Sequence, residues 1–221
     1  MVEIREYFLH PTDLVPNSPQ LLLHYKNVLP RNPDKPGIFS QVDTYDLFEK
    51  HGWQVQWLVR YGQTQLSHFH SKAHEVMAVL SGHATIRFGV ADTSEDMEEN
   101  TYGSAYEQGG IELKAVAGDI SGVAHKTYDP RPETSFERLT KGDGHSLVGD
   151  NPREDLGKIE LSGFTMMGAY NGGQWDFVQS GGDYEQIWAL SKPELDPVLG
   201  DSEEGLRRLW RGNNLAMKVS L

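Results

Sequence analysis

The stretch Gly62–Gly82, GQTQLSHFHSKAHEVMAVLSG, places three histidines and one glutamate within eight positions, 68–75. His68 and His70 are two residues apart, so both side chains leave the same face of an extended strand. Glu75 opens the apolar run that follows and is close enough to return to that face after a turn. Two imidazoles and a carboxylate suit a divalent first-row metal ion and leave coordination positions open. A fourth ligand must come from elsewhere, and His125 in GVAHKTYD is the natural candidate.

The same histidines could instead lie on a polar strand face and bind nothing, as in most lone His-x-His pairs. His74 faces away from Glu75 on a strand, so we expect it to orient a ligand by a hydrogen bond rather than to bind an ion. Arg60 is open to two interpretations. It could be an inward-facing anion partner or a solvated side chain on a polar face.

The alternation of apolar and polar residues around this stretch predicts short antiparallel strands. In QVQWLVRY four side chains are expected to share one face: Val55, Trp57, Val59 and Tyr61. EVMAVLSGHATIRFG predicts two strands joined at Ser81-Gly82, and IELKAV and GFTMMGAY predict two more. Met77 and Val79 share the parity of Glu75 and are expected to line the interior. Short strands punctuated by glycine indicate an all-β fold, either an antiparallel barrel or a sandwich.

Two segments precede and interrupt these strands. The N-terminal arm, 1–40, is rich in proline and asparagine and contains one short strand at Leu21–Tyr25. DTYDLFEKHGW then predicts a short helix capped by Asp43 or Thr44. The acidic stretch 91–110 has no periodicity and is expected to be a solvated loop inserted in a hairpin, or alternatively a lid.

The C-terminal extension, 171–221, begins with the glycine-rich NGGQWDFVQSGGD. DSEEGLRRLWRG predicts a short helix with Ser202 as its cap and Gly212 as its end. Three tryptophans are expected to cover the outside of the barrel: Trp175, Trp188 and Trp210. With no internal repeat and no linker, the chain 1–221 is predicted to be one domain with a barrel core at about 53–170.

The composition limits the function. A net charge of −12 argues against nucleic acid, because its binding depends on Lys and Arg that neutralise phosphates. No apolar run reaches the roughly 20 residues of a membrane span, and the charged N-terminus lacks a signal-peptide pattern. The absence of cysteine excludes thiolate sites and fits a reducing compartment. A cytoplasmic protein with a small-molecule ligand, no nucleic acid and no membrane partner is expected.

The spacing from Gly62 through His68, His70 and Glu75 to Gly82 resembles the first sequence motif of the cupins. Further stretches, AGD…GVAHK, GFTMMGAYNGGQWDF and PELDPVLG…GLRRLW, resemble the YjlB-like cupins, so the similarity runs from about Pro16 to Trp210. The resemblance implies an antiparallel jelly-roll β-barrel with an N-terminal arm and a short C-terminal helix.

The second cupin motif is shortened in this chain. In the family its first glycine precedes the histidine by eleven positions, whereas Gly118 precedes His125 by seven, and Ile120 replaces a proline. A deletion of four residues is even-numbered and keeps each side chain on its original face. His125 could therefore still point inward from a shorter strand, the register could have shifted, or the site could be lost.

The resemblance implies a metal ion held by His68, His70, Glu75 and His125. The ion would be a divalent transition metal, Fe, Mn, Ni or Zn, in an enzyme acting on a small anionic or oxygenated organic substrate by isomerase, lyase or dioxygenase chemistry. The alternative is a non-catalytic cupin that binds a small ligand, with the metal structural or absent. The sheet edges of a jelly roll make a homodimer possible.

Overall fold

Ten strands and five short helices make up the part of the chain that the computed structural model describes, residues 2–63, 65–104, 108–121 and 125–211. The strands are β1 (Glu3–Tyr7), β2 (Leu22–Lys26), β3 (Gln54–Tyr61), β4 (His74–Ser81), β5 (His83–Phe88), β6 (Ile111–Val116), β7 (Ile120–Ser121), β8 (His125–Arg131), β9 (Glu137–Arg138) and β10 (Phe164–Asn171). The helices are α1 (Gln41–Lys50), α2 (Met97–Tyr102), α3 (Pro152–Gly157), α4 (Tyr184–Trp188) and α5 (Leu206–Leu209).

The strands form two antiparallel sheets. The large sheet has the order β1-β2-β7-β4-β10-β3-β9, and the small sheet has the order β6-β5-β8. Every pairing between these strands is antiparallel. This arrangement confirms the predicted all-β class. The N-terminal arm enters the large sheet as β2, as expected, and adds the edge strand β1, which was not predicted.

Apolar side chains pack on both faces of the large sheet. The inner core lies between the two sheets and combines Met77 and Val79 of β4 with Ile86 and Phe88 of β5 and Met166 of β10. The outer core lies on the opposite face, where helices and the C-terminal segment cover it, and it includes Phe48, Val76, Ala78, Leu80, Leu156 and Leu209. The prediction that Met77 and Val79 face the interior is therefore confirmed.

The chain crosses between the sheets at Gly82, which joins β4 to β5 with φ +71°. A Cβ atom here would lie 2.5 Å from the carbonyl oxygens of Arg131 and Gly163, so no larger residue fits. The predicted pair of strands is present, but β4 and β5 belong to different sheets. The crossing puts the residues of β4 and of β8 on opposite walls of the inner core.

Two local predictions were wrong. Helix α1 begins earlier than expected, because Ser40 rather than Asp43 or Thr44 accepts the capping hydrogen bond, from the Asp43 N–H at 3.2 Å. The apolar face of β3 is split, because the register against β10 shifts between Gly168 and Ala169. Val55 consequently packs in the outer core while Trp57 stays in the inner core.

The acidic insert and the C-terminal segment are more ordered than the patterns indicated. The insert contains α2, whose Asn100 and Thr101 are buried. The C-terminal helix α5 follows Gly205 instead of Ser202, and the expected stop at Gly212 lies outside the described residues, as do 122–124 of GVAH. Within the described ranges, none of the helices has the length and apolar character needed to cross a membrane.

Candidate metal centre between the two sheets

Glu75 and Tyr170 lie directly opposite each other on the paired strands β4 and β10. The Glu75 carboxylate points into the inner core and is 3% exposed. Its Oε1 accepts a hydrogen bond from the Tyr170 hydroxyl, which in turn accepts one from Trp57 Nε1 at 2.9 Å. The bulge in β3 described above is what keeps Trp57 on this side of the sheet. The carboxylate therefore has a fixed orientation before any ligand binds.

His68 and His70 lie on an extended segment between β3 and β4, outside the named strands. His68 forms an isolated antiparallel bridge with His125, with N–H···O=C distances of 3.2 and 2.9 Å. Phe69 forms a similar bridge with Val178, at 2.8 and 3.1 Å. These bridges hold the segment in an extended conformation, so His68 and His70 leave the same face.

The four predicted ligands meet in this space. His70 Nε2 lies 3.4 Å from Glu75 Oε1, and His125 Nδ1 lies 3.4 Å from Glu75 Oε2. The ring of His68 has its centroid 4.6 Å from that of His125 and 5.2 Å from that of His70. The shortened second motif thus still brings His125, the first residue of β8, to the carboxylate. Of the three alternatives open for His125, the inward-facing one matches the structure.

Main-chain carbonyls fix two of the imidazole rings. His68 Nδ1 donates to the Leu66 oxygen at 3.1 Å, and His70 Nδ1 donates to the Asp176 oxygen. Because a carbonyl only accepts, both Nδ1 atoms carry the hydrogen and the Nε2 atoms are left as acceptors in the neutral rings. The Asp176 carboxylate accepts from the Ser71 N–H at 2.7 Å and from its hydroxyl at 2.5 Å. Asp176 therefore orients His70 from 106 residues away.

The acidic insert also supports the histidine segment. Asp92 accepts the Ser67 N–H at 2.8 Å and the Lys126 ammonium at 2.8 Å, and it pairs with Arg87. Ser67 further donates its hydroxyl to the Val90 oxygen at 2.6 Å. Ser67 precedes His68 and Lys126 follows His125, so this single carboxylate ties together the residues beside two of the four cluster members.

The pKa shifts of the cluster follow from burial and from the charge of Glu75. Burial opposes the ionisation of Glu75, but His70 and His125 outweigh it and lower the pKa of the carboxyl to about 2. Burial also opposes protonation of His70, yet the Glu75 charge raises the pKa of this imidazole. Burial, with repulsion from His125 and His70, lowers the pKa of His68 to about 3. Burial and then Glu75 raise the pKa of Tyr170, which stays a hydrogen-bond donor.

The cluster fits a metal ion in its chemistry. His70 Nε2 and Glu75 Oε2 are buried and accept no hydrogen bond, which is costly unless a ligand is present. Imidazole nitrogens together with a carboxylate oxygen are ligands that a divalent first-row metal ion accepts. As placed, no three acidic or histidine side chains of the described residues form a ready cage around one point. Binding of one ion by all four side chains would therefore require them to move.

Other residues singled out from the sequence lie elsewhere. His74 points to the outer face, where Nε2 lies 3.1 Å from the Ser191 oxygen, so the expected hydrogen bond to a ligand was wrong. Arg60 donates to Ser162 Oγ at 2.8 Å and pairs with Glu137 on the exposed side, which leaves the solvated interpretation. Trp175 is not a remote cover, because its ring centroid lies 6.1 Å from that of His70.

A cavity of about 110 Å³ borders the same strand from behind. Outer-core residues line part of it, among them Leu23, Trp53, Val76 and Trp210. His70 and Glu75 of the cluster also line this cavity, but the Glu75 carboxylate bonds to Tyr170 in the inner core. We therefore assign the chemistry to the buried cluster and not to the cavity.

Fold and cluster together define an all-β protein with two facing antiparallel sheets and a buried His₃Glu group between them. Among curated proteins, the chain is similar to the uncharacterized protein YjlB of Bacillus subtilis (strain 168), with 24% identity over 220 residues that cover 94% of this chain and 97% of the relative. No protein-family profile matches the chain. No solved structure matches it either.

Proposed function

We propose that this protein is a metal-dependent cupin enzyme of the YjlB-like group, with a divalent transition metal ion held by His68, His70, Glu75 and His125. Its substrate would be a small anionic or oxygenated organic molecule, and its reaction would be of the isomerase, lyase or dioxygenase type. The observation that carries the proposal is the convergence of these four side chains, with unpartnered atoms on His70 and Glu75, in the space between the sheets.

The charge of the cluster supports the substrate class. Three neutral imidazoles and one carboxylate would leave one net positive charge on a divalent ion, which favours an anion or a polarisable oxygen. The bound ion would supply Lewis-acid polarisation of a carbonyl or enolate oxygen. The Glu75 carboxylate would be kept in place by Tyr170, and the His70 ring by Asp176. The inner core around Trp57 would exclude water from the reacting atoms.

Elemental analysis of the purified protein tests the proposal, with His125→Ala as the variant and His51→Ala as the matched control. His51 lies at the end of α1, bonds to the Pro197 oxygen at 3.0 Å and makes none of the contacts described for the cluster. Stoichiometric Fe, Mn, Ni or Zn in wild type and His51→Ala, with a sharp loss in His125→Ala, is the expected result. The absence of metal from every sample after reconstitution would refute the proposal that this protein is a metal-dependent enzyme. A metal content that His125→Ala leaves unchanged would show that His125 is not a ligand.

A second candidate is a non-catalytic cupin that binds a small ligand. The nearly complete burial of His70, Glu75 and His125, with side chains 5%, 3% and 3% exposed, favours it, since an enzyme needs an open coordination position. Removal of the ion by a chelator distinguishes the two candidate functions. Binding of a structural ion contributes to the free energy of folding, so its removal by a chelator should unfold the protein, whereas removal of a catalytic ion should leave the protein folded.

A further inference from the structure

An aromatic ring covers the cluster on its exposed side. Phe177 stacks on His68 with ring centroids 4.1 Å apart and an interplanar angle of 18°. The side chain of Phe177 is 49% exposed, although the histidine beneath it is buried. The stacking itself holds the half-exposed ring in this position, since an aromatic pair contributes about 0.5–1.5 kcal/mol beyond the area that it buries.

The main chain that carries Phe177 is firmly attached. On one side the Asp176 carboxylate accepts two hydrogen bonds from Ser71, and on the other Val178 exchanges two backbone hydrogen bonds with Phe69. Any opening above His68 is therefore expected to come from rotation of the Phe177 side chain alone. Such rotations of exposed side chains between staggered rotamers are fast.

We propose that Phe177 is the gate residue of the cluster and that the substrate is a small planar, unsaturated molecule whose flat face replaces the Phe177 ring against His68. This inference rests on the proposed function. A neighbouring aromatic residue supports this class of substrate. Trp175 adds a second aromatic ring 6.1 Å from His70, and it stacks on His145 with ring centroids 4.3 Å apart. A flat apolar molecule retains the stacking that Phe177 gives up, and an oxygen at its edge would reach the cluster.

Carbethoxylation of histidines by diethyl pyrocarbonate, read out by mass spectrometry on the metal-free full-length chain, tests the gate. Phe177→Ala should raise the labelling rate of His68 about fivefold, the factor equivalent to losing an aromatic pair worth ~1 kcal/mol. Phe177→Tyr should label like wild type. Phe8→Ala is the matched control, because Phe8 is also exposed and packs edge-on against His10 at 4.9 Å. It should leave the labelling of His68 unchanged, and His10, which is exposed in wild type, should be labelled readily in both proteins.

His24 is the internal control that distinguishes unfolding from gating. It is buried against Asp119 and should stay unlabelled in every variant that remains folded. An unchanged rate for His68 in Phe177→Ala, with His24 protected, would overturn the gate. A rise in both rates would also overturn it, because Phe177 would then hold the fold together.

The ligand class is tested with zinc-loaded protein titrated with 4-nitrocatechol, followed by its visible absorption, against lactate as the aliphatic competitor. Tighter binding of 4-nitrocatechol than of lactate is the expected result. Phe177→Ala should strengthen it, because the ligand no longer has to displace the Phe177 ring from His68, and Phe8→Ala should leave it unchanged. Equal or weaker binding than lactate would overturn the planar class. A chain that holds no zinc would refute the proposed function and with it this ligand class, while the labelling rates would still decide the gate.

Discussion

Replacing Gly168 by alanine should disturb the hydrogen-bond chain behind Glu75 without touching any cluster residue. Gly168 lies opposite Trp57 in the pairing of β10 with β3. A Cβ atom here would lie 2.7 Å from Trp57 Nε1 and closer still to the ring carbons Cε2 and Cζ2. Ordinary carbon contacts are about 3.5–4.0 Å, so the buried indole would have to move by roughly 1 Å or more.

The expected loss has two parts. Overpacking of a filled core costs about 1–3 kcal/mol, and a lost hydrogen bond from Trp57 Nε1 to the Tyr170 hydroxyl costs about 1 kcal/mol more. We expect the free energy of unfolding to fall by about 3 kcal/mol. For a chain of this length that corresponds to a Tm roughly 6–12 °C lower. Thermal and urea unfolding followed by near-UV circular dichroism would measure both quantities.

A double-mutant cycle with Trp57→Leu identifies the cause. In the Trp57→Leu background the clash is gone, so Gly168→Ala should cost less than about 0.5 kcal/mol. Gly157→Ala is the control, because a Cβ there would meet only Val42 at 3.3 Å and should change stability little. An equal loss from Gly168→Ala with and without the indole would refute the reasoning.

Three further changes test the supports of the cluster. Tyr170→Phe leaves Glu75 Oε1 and Trp57 Nε1 without their partner and should lower the unfolding free energy by about 2 kcal/mol, measured by urea titration. A loss equally large in a Glu75→Ala background would contradict the contact, because alanine has no oxygen to accept the Tyr170 hydroxyl. Asp92→Asn should weaken the anchor of Ser67 and speed hydrogen exchange of the Ser67 amide, while that of β4 stays slow; unchanged exchange would contradict it. Asp119→Asn should cost about 3 kcal/mol at pH 7, since its buried carboxylate bonds to His24 and to Lys26. Burial opposes the ionisation of Asp119, but its hydrogen bonds outweigh it and lower its pKa below 3.8. Its stabilisation is therefore present above pH 3.8 and lost as the pH falls through the folded pKa, so wild type and variant should converge in acid.

The strands around the cluster were predictable because each is a short alternating run that ends at a turn residue. For this reason the segments before and after Ser81-Gly82 were both predicted as strands. Nothing in that local pattern shows that β4 and β5 enter different sheets, since that choice depends on the partners that each strand finds. The start of α1 was placed too late because Asp43 and Ser40 are both good capping residues, and the packing of Thr44 favours the earlier one.

The cluster itself was predictable, and its supports were not. His68, His70 and Glu75 lie within one short stretch, and His125 followed from a second motif. Tyr170 and Asp176 contact the cluster across sequence separations of 95 and 106 residues. Both lie in the stretch GFTMMGAYNGGQWDF, which resembles the YjlB-like cupins, but the resemblance assigns neither of them a role at the site. The position of Trp57 depends on a bulge that only the pairing with β10 creates.

The bridge between His68 and His125 also has a kinetic consequence. These two residues are distant in sequence, and the cluster is complete only when the small sheet has docked on the large one. Such non-local contacts form late in folding, after the cost of closing long loops has been met. An ion bound here should therefore slow unfolding and leave the folding rate nearly unchanged, because the folding transition state would still lack the assembled site.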